Sequence, residues 1–252
     1  MSERLTFDER YRGFPDVAHG GYVSGVLAGS LGDGAEVVLR RPPPIDRRLE
    51  IERDGPDRVV LRDGESVVAE ARRAALTIDP PRVITFDEAE AASRTYPGHS
   101  AHPFPSCFCC GPEREPGDGL RLFPGQLPGS KIVAAPFVPD AALAEVGGAL
   151  RSELTWAAVD CPQLWALMLA APADSAERVV TSGLAATLHA PLHAGRRYVV
   201  IAWPAGREAD RLYADAAVLS EHGETIAVAR QVAAVVGPDW GVPLGRDSWH
   251  LL

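Results

Sequence analysis

Apolar residues along this chain either mix with charged ones in short stretches or gather in runs of small side chains. Four stretches, 35–41, 47–54, 57–63 and 66–78, carry segments such as VVLR and LEIE. Mixed apolar and charged positions of this kind predict half-exposed antiparallel strands. Turn sequences separate them, Arg53-Asp54-Gly55-Pro56-Asp57 and Asp63-Gly64. Ahead of them VSGVLAGSL has little polarity on any face, which predicts a buried helix of about three turns. It follows a His19-Gly20-Gly21 turn and ends at Gly32-Asp33-Gly34.

From 79 to about 105 the pattern breaks into proline-rich and polar sequence, with a short helix predicted at 86–94. A second series follows. KIVAAPFVP (131–139) reads as a strand and SELTWAAVDCPQLWALMLA (152–170) as a long helix, with Ser152 as its N-cap. Pro162 falls inside that helix, where it removes one hydrogen bond and crowds the Ala158 carbonyl, so a kink is expected beside Asp160. Strands are predicted at 179–190, 196–205, 210–221 and 224–236, the last entered through a turn at His222-Gly223. The tail from Gly237 onward is a surface segment in this reading.

The two series are related. A slide of 149 brings Leu39 onto Leu188, Pro42 onto Pro191 and Arg47-Arg48 onto Arg196-Arg197. A slide of 159 brings Gly64-Glu65 onto Gly223-Glu224, Ala74-Ala75 onto Ala233-Ala234 and Arg72 onto Gln231. The ten-residue difference is expected in one longer hairpin loop around 203–212. Two blocks in the same order argue for duplication of one helix-plus-meander unit. Two copies are too few for a solenoid. Open sheet edges favour pairing them edge to edge, as a pseudo-dimer with a site where they face each other.

Composition narrows the function. Of 252 residues 46% are apolar and 23% charged, with 24 glycines and 22 prolines, ordinary for a globular protein rich in turns. The formal charge of −9 and the lack of a basic tail argue against nucleic acid as a partner. No apolar run is long enough to span a membrane, and MSERLTFDERYRGF lacks the apolar core of a signal peptide, so a cytoplasmic protein is expected. Three of the four cysteines crowd into SCFCCGP, and Cys161 stands apart. Zinc ligands are usually spaced C-x₂₋₄-C. The C-x-C-C spelling of Cys107, Cys109 and Cys110 fits that poorly, and no second C-x-x-C follows. Buried thiols are the preferred reading, with no metal and no cofactor expected.

CFCCGP followed by GLRL, an HGG turn ahead of a small-residue helix, and WAAVDCP resemble the hotdog-fold acyl-CoA thioesterase superfamily. The tandem arrangement is similar to its double-hotdog members, such as acyl-CoA thioesterase II, over about 12–236. The resemblance implies an α+β tandem hotdog, two antiparallel sheets each wrapping a central helix and joined into one. Residues 1–80 would form the N-terminal hotdog, 81–105 a linker, 106–236 the C-terminal hotdog and 237–252 a tail.

It also implies a site. Phenylacetyl-CoA-type thioesterases pair an HGG turn with an aspartate nine positions after its histidine, contributed by the other subunit. Here His19-Gly20-Gly21 is followed nine positions on by Ala28, whereas Asp160 is preceded at that spacing by Arg151. Each half lacks what the other keeps, so one complete site per chain is expected. By the same resemblance Thr181 and Gln231 would partner Asp160 and hold the attacking water. His19, Gly20, Gly21 and Tyr22 would form the substrate-binding, oxyanion-stabilising turn, with the N–H groups of Gly20 and Gly21 on the thioester carbonyl. Asp160, partly desolvated, would act as base, or attack directly.

The implied substrate is an acyl-CoA or acyl-carrier thioester, with further assembly into homo-oligomers expected. The pairs Arg40-Arg41, Arg47-Arg48 and Arg196-Arg197 read either as coenzyme A phosphate contacts or as solvated strand charges. Trp156 and Trp165 read as core or pocket wall. A hotdog hydratase using His19 and Asp160, and a non-catalytic acyl-binding protein, are the competing functions.

Overall fold

In a computed structural model, residues 2–32, 34–172, 175 and 178–237 are described; most of the 237–252 tail lies outside them. The first half forms β1 (Ser2–Thr6), α1 (Gly20–Gly29), β2 (Gly34–Leu39), β3 (Arg48–Arg53), β4 (Arg58–Asp63) and β5 (Ser66–Arg73). A connecting helix, α2 (Phe86–Ser93), leads to β6 (Gly125–Gln126) and β7 (Val133–Phe137). The second half continues with α3 (Ser152–Ala170), β8 (Arg178–Leu188), β9 (Tyr198–Glu208), β10 (Arg211–Ser220) and β11 (Thr225–Val236).

All these strands pair antiparallel in one sheet, in the order β1-β3-β4-β5-β2-β8-β11-β10-β9-β7-β6. The order is nearly palindromic about the β2–β8 seam, where Ala35 pairs with Ala186 and Val37 with Leu184. Each half supplies a meander whose edge would be open alone, and the seam closes both. The expected tandem arrangement is therefore the observed one.

Both central helices lie against one face of this sheet. Val23, Leu27 and Leu31 in and just after α1, and Leu154 and Trp156 in α3, pack with Leu49, Leu61, Leu184 and Val218 from the strands. The helices touch each other through glycine. A Cβ on Gly21 would stand 2.6 Å from Asp160 Cβ and 2.7 Å from the Trp156 carbonyl oxygen, and one on Gly25 would stand 2.4 Å from Glu153 Cα. The absence of side chains at Gly21 and Gly25 lets the backbones meet. On the opposite face α2 covers the second half, burying Ala89 and Ala92 against Ala134, Val199, Ile201 and Leu219. Covered on both sides, β9 and β10 carry runs of buried Val, Ile and Ala rather than an alternation. A capping box, Thr85 with Glu88, starts α2.

The structure corrects several expectations. Helix α1 begins at Gly20, so both glycines of the turn belong to its first turn and His19 is its N-cap. Helix α3 starts at Ser152, which makes Arg151 and not Ser152 the N-cap residue. The extra ten residues of the second copy are not a loop: β9 and β10 pair through Trp203, Pro204, Gly206, Arg207 and Glu208, so the hairpin arms themselves are longer. Gln231 also shifts partner. Ala35 and Leu184 are equivalent under the slide of 149; Ala35 pairs with Arg73 and Leu184 with Gln231, so Arg73 rather than Arg72 is its counterpart. β1 and the two-residue β6 were not anticipated, being too short for a pattern.

Candidate active site

The N-terminus of α1 points at the middle of α3. The first residues of a helix carry N–H groups with no partner within the helix. Here the Gly21 N–H donates to Asp160 Oδ2 at 2.7 Å, and the Tyr22 N–H donates to His19 Nδ1 at 3.3 Å. The Gly20 N–H makes no hydrogen bond among the described residues and lies at the positive end of the α1 dipole.

Asp160 is 2% exposed and His19 likewise. A carboxylate so buried needs compensation. Besides Gly21, Thr181 Oγ1 donates to Asp160 Oδ1 at 2.7 Å, and Gln231 Nε2 donates to the same oxygen. Gln231 Nε2 also reaches the Asp160 carbonyl at 3.2 Å and Thr181 Oγ1 at 3.0 Å. Hydrogen bonds to charged groups contribute about 1.5–3 kcal/mol each, which offsets the burial. Thr181 and Gln231 thus aim donors at the carboxylate itself. Gln231 Oε1 is buried and has no hydrogen-bond partner among the described residues.

A cavity of about 370 Å³ opens beside this constellation. His19, Gly20, Asp160 and Thr181 form one part of its wall, and Leu164, Trp165, Met168 and Val179 an apolar part. Gly21 and Tyr22 are not among its lining residues, and the Tyr22 hydroxyl is turned to Arg151 Nη2, 3.4 Å away. Gly20 is where the cavity meets the carboxylate: a Cβ there would lie 3.5 Å from Asp160 Oδ2. Trp165 is the expected pocket wall, packed edge-on to Tyr96, and Trp156 is core. Among the arginine pairs only Arg40 and Arg41 line the cavity. Arg47 pairs with Asp63 and Arg197 with Glu221 at the surface.

His19 also belongs to a thiol cluster. Its Nε2 lies 3.1 Å from Cys161 Sγ, and Cys107 Sγ lies 3.7 Å from both Cys161 Sγ and Cys110 Sγ. All four cysteines are buried and reduced. Burial pulls the His19 pKa down, but hydrogen bonds to Cys107 and Cys109 and the charges of Cys107 and Asp160 outweigh it, raising it well above the usual value. Hydrogen bonds from Cys110 and Cys161 hold the Cys107 thiol well below the usual range against its burial. Nδ1 of His19 lies 3.5 Å from Asp160 Oδ2 and 3.3 Å from the Tyr22 nitrogen. Unprotonated it caps the helix; protonated it faces the carboxylate. The sequence predicts buried thiols, and all four are buried. Cys107 and Cys110 have two residues between them; nothing in the spacing links either to His19 or Cys161.

Neither a protein-family model nor a curated protein matches the chain. Solved structures do. The chain is similar to the tesB protein of Mycobacterium avium subs paratuberculosis at TM-score 0.60 and 11% identity, over 93% of each chain. It is similar to the acyl-CoA thioesterase II of Mycobacterium marinum at 0.53 and 14%, over 94% of this chain and 93% of that one. A protein with a hot dog fold from Alicyclobacillus acidocaldarius matches at 0.53 and 12%, over 94% of each. The fold is a double hotdog. Its first hotdog provides His19 and Gly20, and its second provides Asp160, Thr181 and Gln231, so the constellation spans the two. No described helix is long and apolar enough to cross a membrane.

Proposed function

We propose that this double hotdog is a thioesterase acting on acyl-CoA or acyl-carrier thioesters at one composite site per chain. The observation that carries the reading is the bond from Gly21 N–H to Asp160 Oδ2 across the hotdog interface, beside an apolar cavity. The fold neighbours named tesB protein and acyl-CoA thioesterase II agree with it.

In this mechanism the acyl chain lies along Trp165, Met168 and Val179. The thioester carbonyl accepts from the Gly20 N–H, where the helix dipole favours developing negative charge without reorganisation. Asp160 Oδ2 takes a proton from water, and the resulting hydroxide attacks the carbonyl carbon. Collapse of the tetrahedral intermediate breaks the C–S bond, and the leaving thiolate recovers the proton from Asp160. Thr181, Gln231 and Gly21 hold the carboxylate still. His19 is a positioning residue that caps α1. Arg41, which makes no ion pair among the described residues, is placed to meet a coenzyme A phosphate at the cavity mouth.

The test is coenzyme A release from a panel of acyl-CoA thioesters of graded length, with wild type and Asp160→Asn. Hydrolysis by wild type that the substitution abolishes supports the reading. Saturable acyl-CoA binding with no turnover for any chain length would leave a binding protein, and hydration of enoyl thioesters without hydrolysis a hydratase.

A further inference from the structure

The cysteine cluster is not used by the proposed hydrolysis, yet it joins three segments far apart in sequence. His19 caps α1 in the first hotdog, Cys107 and Cys110 come from the loop that opens the second, and Cys161 follows Asp160 on α3. Their ligand-forming atoms converge. His19, Cys107 and Cys161 each present one within 4.8 Å of the others, all from buried side chains. Cys110 Sγ stands 3.7 Å from Cys107 Sγ and lines the same cavity, outside that group of three, so it must draw inward to become a fourth ligand. In a tetrahedral zinc site with Zn–S near 2.3 Å, neighbouring sulfurs are about 3.8 Å apart. The Cys107–Cys161 and Cys107–Cys110 sulfur separations, both 3.7 Å, match that edge.

The loop is shaped for ligation. The Gly111 N–H donates to the Cys107 carbonyl at 2.9 Å, folding Cys107-Phe108-Cys109-Cys110-Gly111 into a tight turn. A Cβ on Gly111 would stand 2.4 Å from the Pro105 carbonyl oxygen and 2.5 Å from that of Cys107, so only glycine fits. Outside the cluster, the Phe104 N–H donates to His102 Nδ1 at 2.8 Å. That fixes the remaining proton on Nε2, which lies 3.2 Å from Cys110 Sγ and therefore donates to it. An imidazole N–H aimed at sulfur suits a metal-bound thiolate better than a thiol.

We propose that His19 Nε2 and the thiolates of Cys107, Cys110 and Cys161 form a closed, tetrahedral zinc site that clips the two hotdogs together beside Asp160. Three thiols each release a proton on binding, so the divalent ion with three thiolates and a neutral imidazole carries one net negative charge, and the His102 N–H donates to one of those thiolates. With Nε2 on the metal, the His19 ring proton must sit on Nδ1, facing Asp160 Oδ2 and giving up the bond from the Tyr22 N–H, so that the metal in place of that cap fixes His19. The ion has four protein ligands and no open position, so it orients the α1 N-terminus and does not meet substrate.

The full chain, produced without chelator and purified without a metal-affinity step, is assayed for zinc by plasma mass spectrometry. One zinc per chain is expected, together with the intense visible absorption of tetrahedral thiolate coordination when cobalt(II) replaces it. Cys107→Ser, Cys110→Ser and Cys161→Ser should each lose the metal, while Cys109→Ser keeps it. Should those variants fail to fold, titrating reduced, zinc-stripped wild type with cobalt(II) gives the same answer. Protein that takes up neither ion overturns the site, as does a Cys107–Cys161 or Cys107–Cys110 disulfide in metal-free protein. Metal loss in Cys109→Ser with retention in Cys110→Ser overturns the ligand set.

Discussion

The two central helices begin in equivalent places and meet opposite surroundings. Advancing His19 by 132 positions gives Arg151, and each holds the N-cap position of its helix, although only the His19 side chain accepts a helix N–H. The contacts repeat with the same offset: Gly21 packs on Ala157 Cα, and Gly25 packs on Glu153 Cα. The first N-terminus faces Asp160, held by Thr181 and Gln231. At the second, Ala28 stands where Asp160 does at the first, and a Cβ on the adjoining Gly29 would lie 3.9 Å from Ser152 Oγ. The counterparts of Thr181 and Gln231 are Gly32 and Arg73, and they too are neighbours, since a Cβ on Gly32 would lie 3.0 Å from the Arg73 guanidinium. Scaffold symmetry has been kept while every polar group of one site has been exchanged. Arg151 occupies the second N-terminus, bonded to Tyr11 and Tyr22 and paired with Glu153. What distinguishes a site from a helix end is therefore a buried acid with donors around it; the dipole is common to both.

The largest effect is expected at the acid. Asp160→Asn should lower kcat/KM for acyl-CoA hydrolysis by about 10²–10⁴-fold with little change in KM, as for loss of a general base. An amide nitrogen at either oxygen position would face a donor, Gly21 on one side or Thr181 and Gln231 on the other. The converse substitution, Ala28→Asp, should give no new activity and cost about 3–5 kcal/mol at neutral pH, the range for a buried, uncompensated charge. Burial would raise the introduced carboxyl's pKa above its unfolded value. The folded state would then bind more protons, so the loss should shrink as pH falls, which denaturant midpoints across pH would show.

Next come the glycines. Gly21→Ala forces its Cβ onto Asp160 Cβ and the Trp156 carbonyl, and should destabilise by about 1–3 kcal/mol. Gly20→Ala meets nothing closer than the flexible Leu39 Cδ1 at 3.1 Å, so its melting temperature should stay near wild type. Its methyl would stand 3.5 Å from Asp160 Oδ2, where substrate must enter, so hydrolysis should fall while the fold holds. The smallest effect is at Thr181→Val, which removes one of three donors to the carboxylate and should cost about 1 kcal/mol in a urea titration.

Much of this was legible in the chain. The bounds of α3 follow from its long apolar run, and most strands from turn residues and short mixed runs. The duplication predicted the seam, while the single site expected from the unequal halves is part of the proposed function. Other parts depend on contacts the sequence does not encode locally. That α1 starts at Gly20 reflects the His19 cap, which a Gly-Gly pair hides because glycine disfavours helix. The role of Gly21 depends on α3 passing within contact distance. Gln231 and Arg73 correspond only through strand registers interrupted by irregularities, one between Val232 and Ala233. Nothing local in the sequence brings Cys107 and Cys161 to His19, because the three lie on separate segments of the chain.

The central claim is that one chain has one site, at the junction of Gly20 and Asp160. The direct measurement is the structure and binding stoichiometry of Asp160→Asn with a non-hydrolysable thioether analogue of an acyl-CoA. One analogue per chain is predicted, its acyl part along Trp165 and Met168 and its reacting end beside the Gly20 N–H. Two analogues per chain, or a single one seated at the Ser152 end of α3 against Ala28, would contradict it.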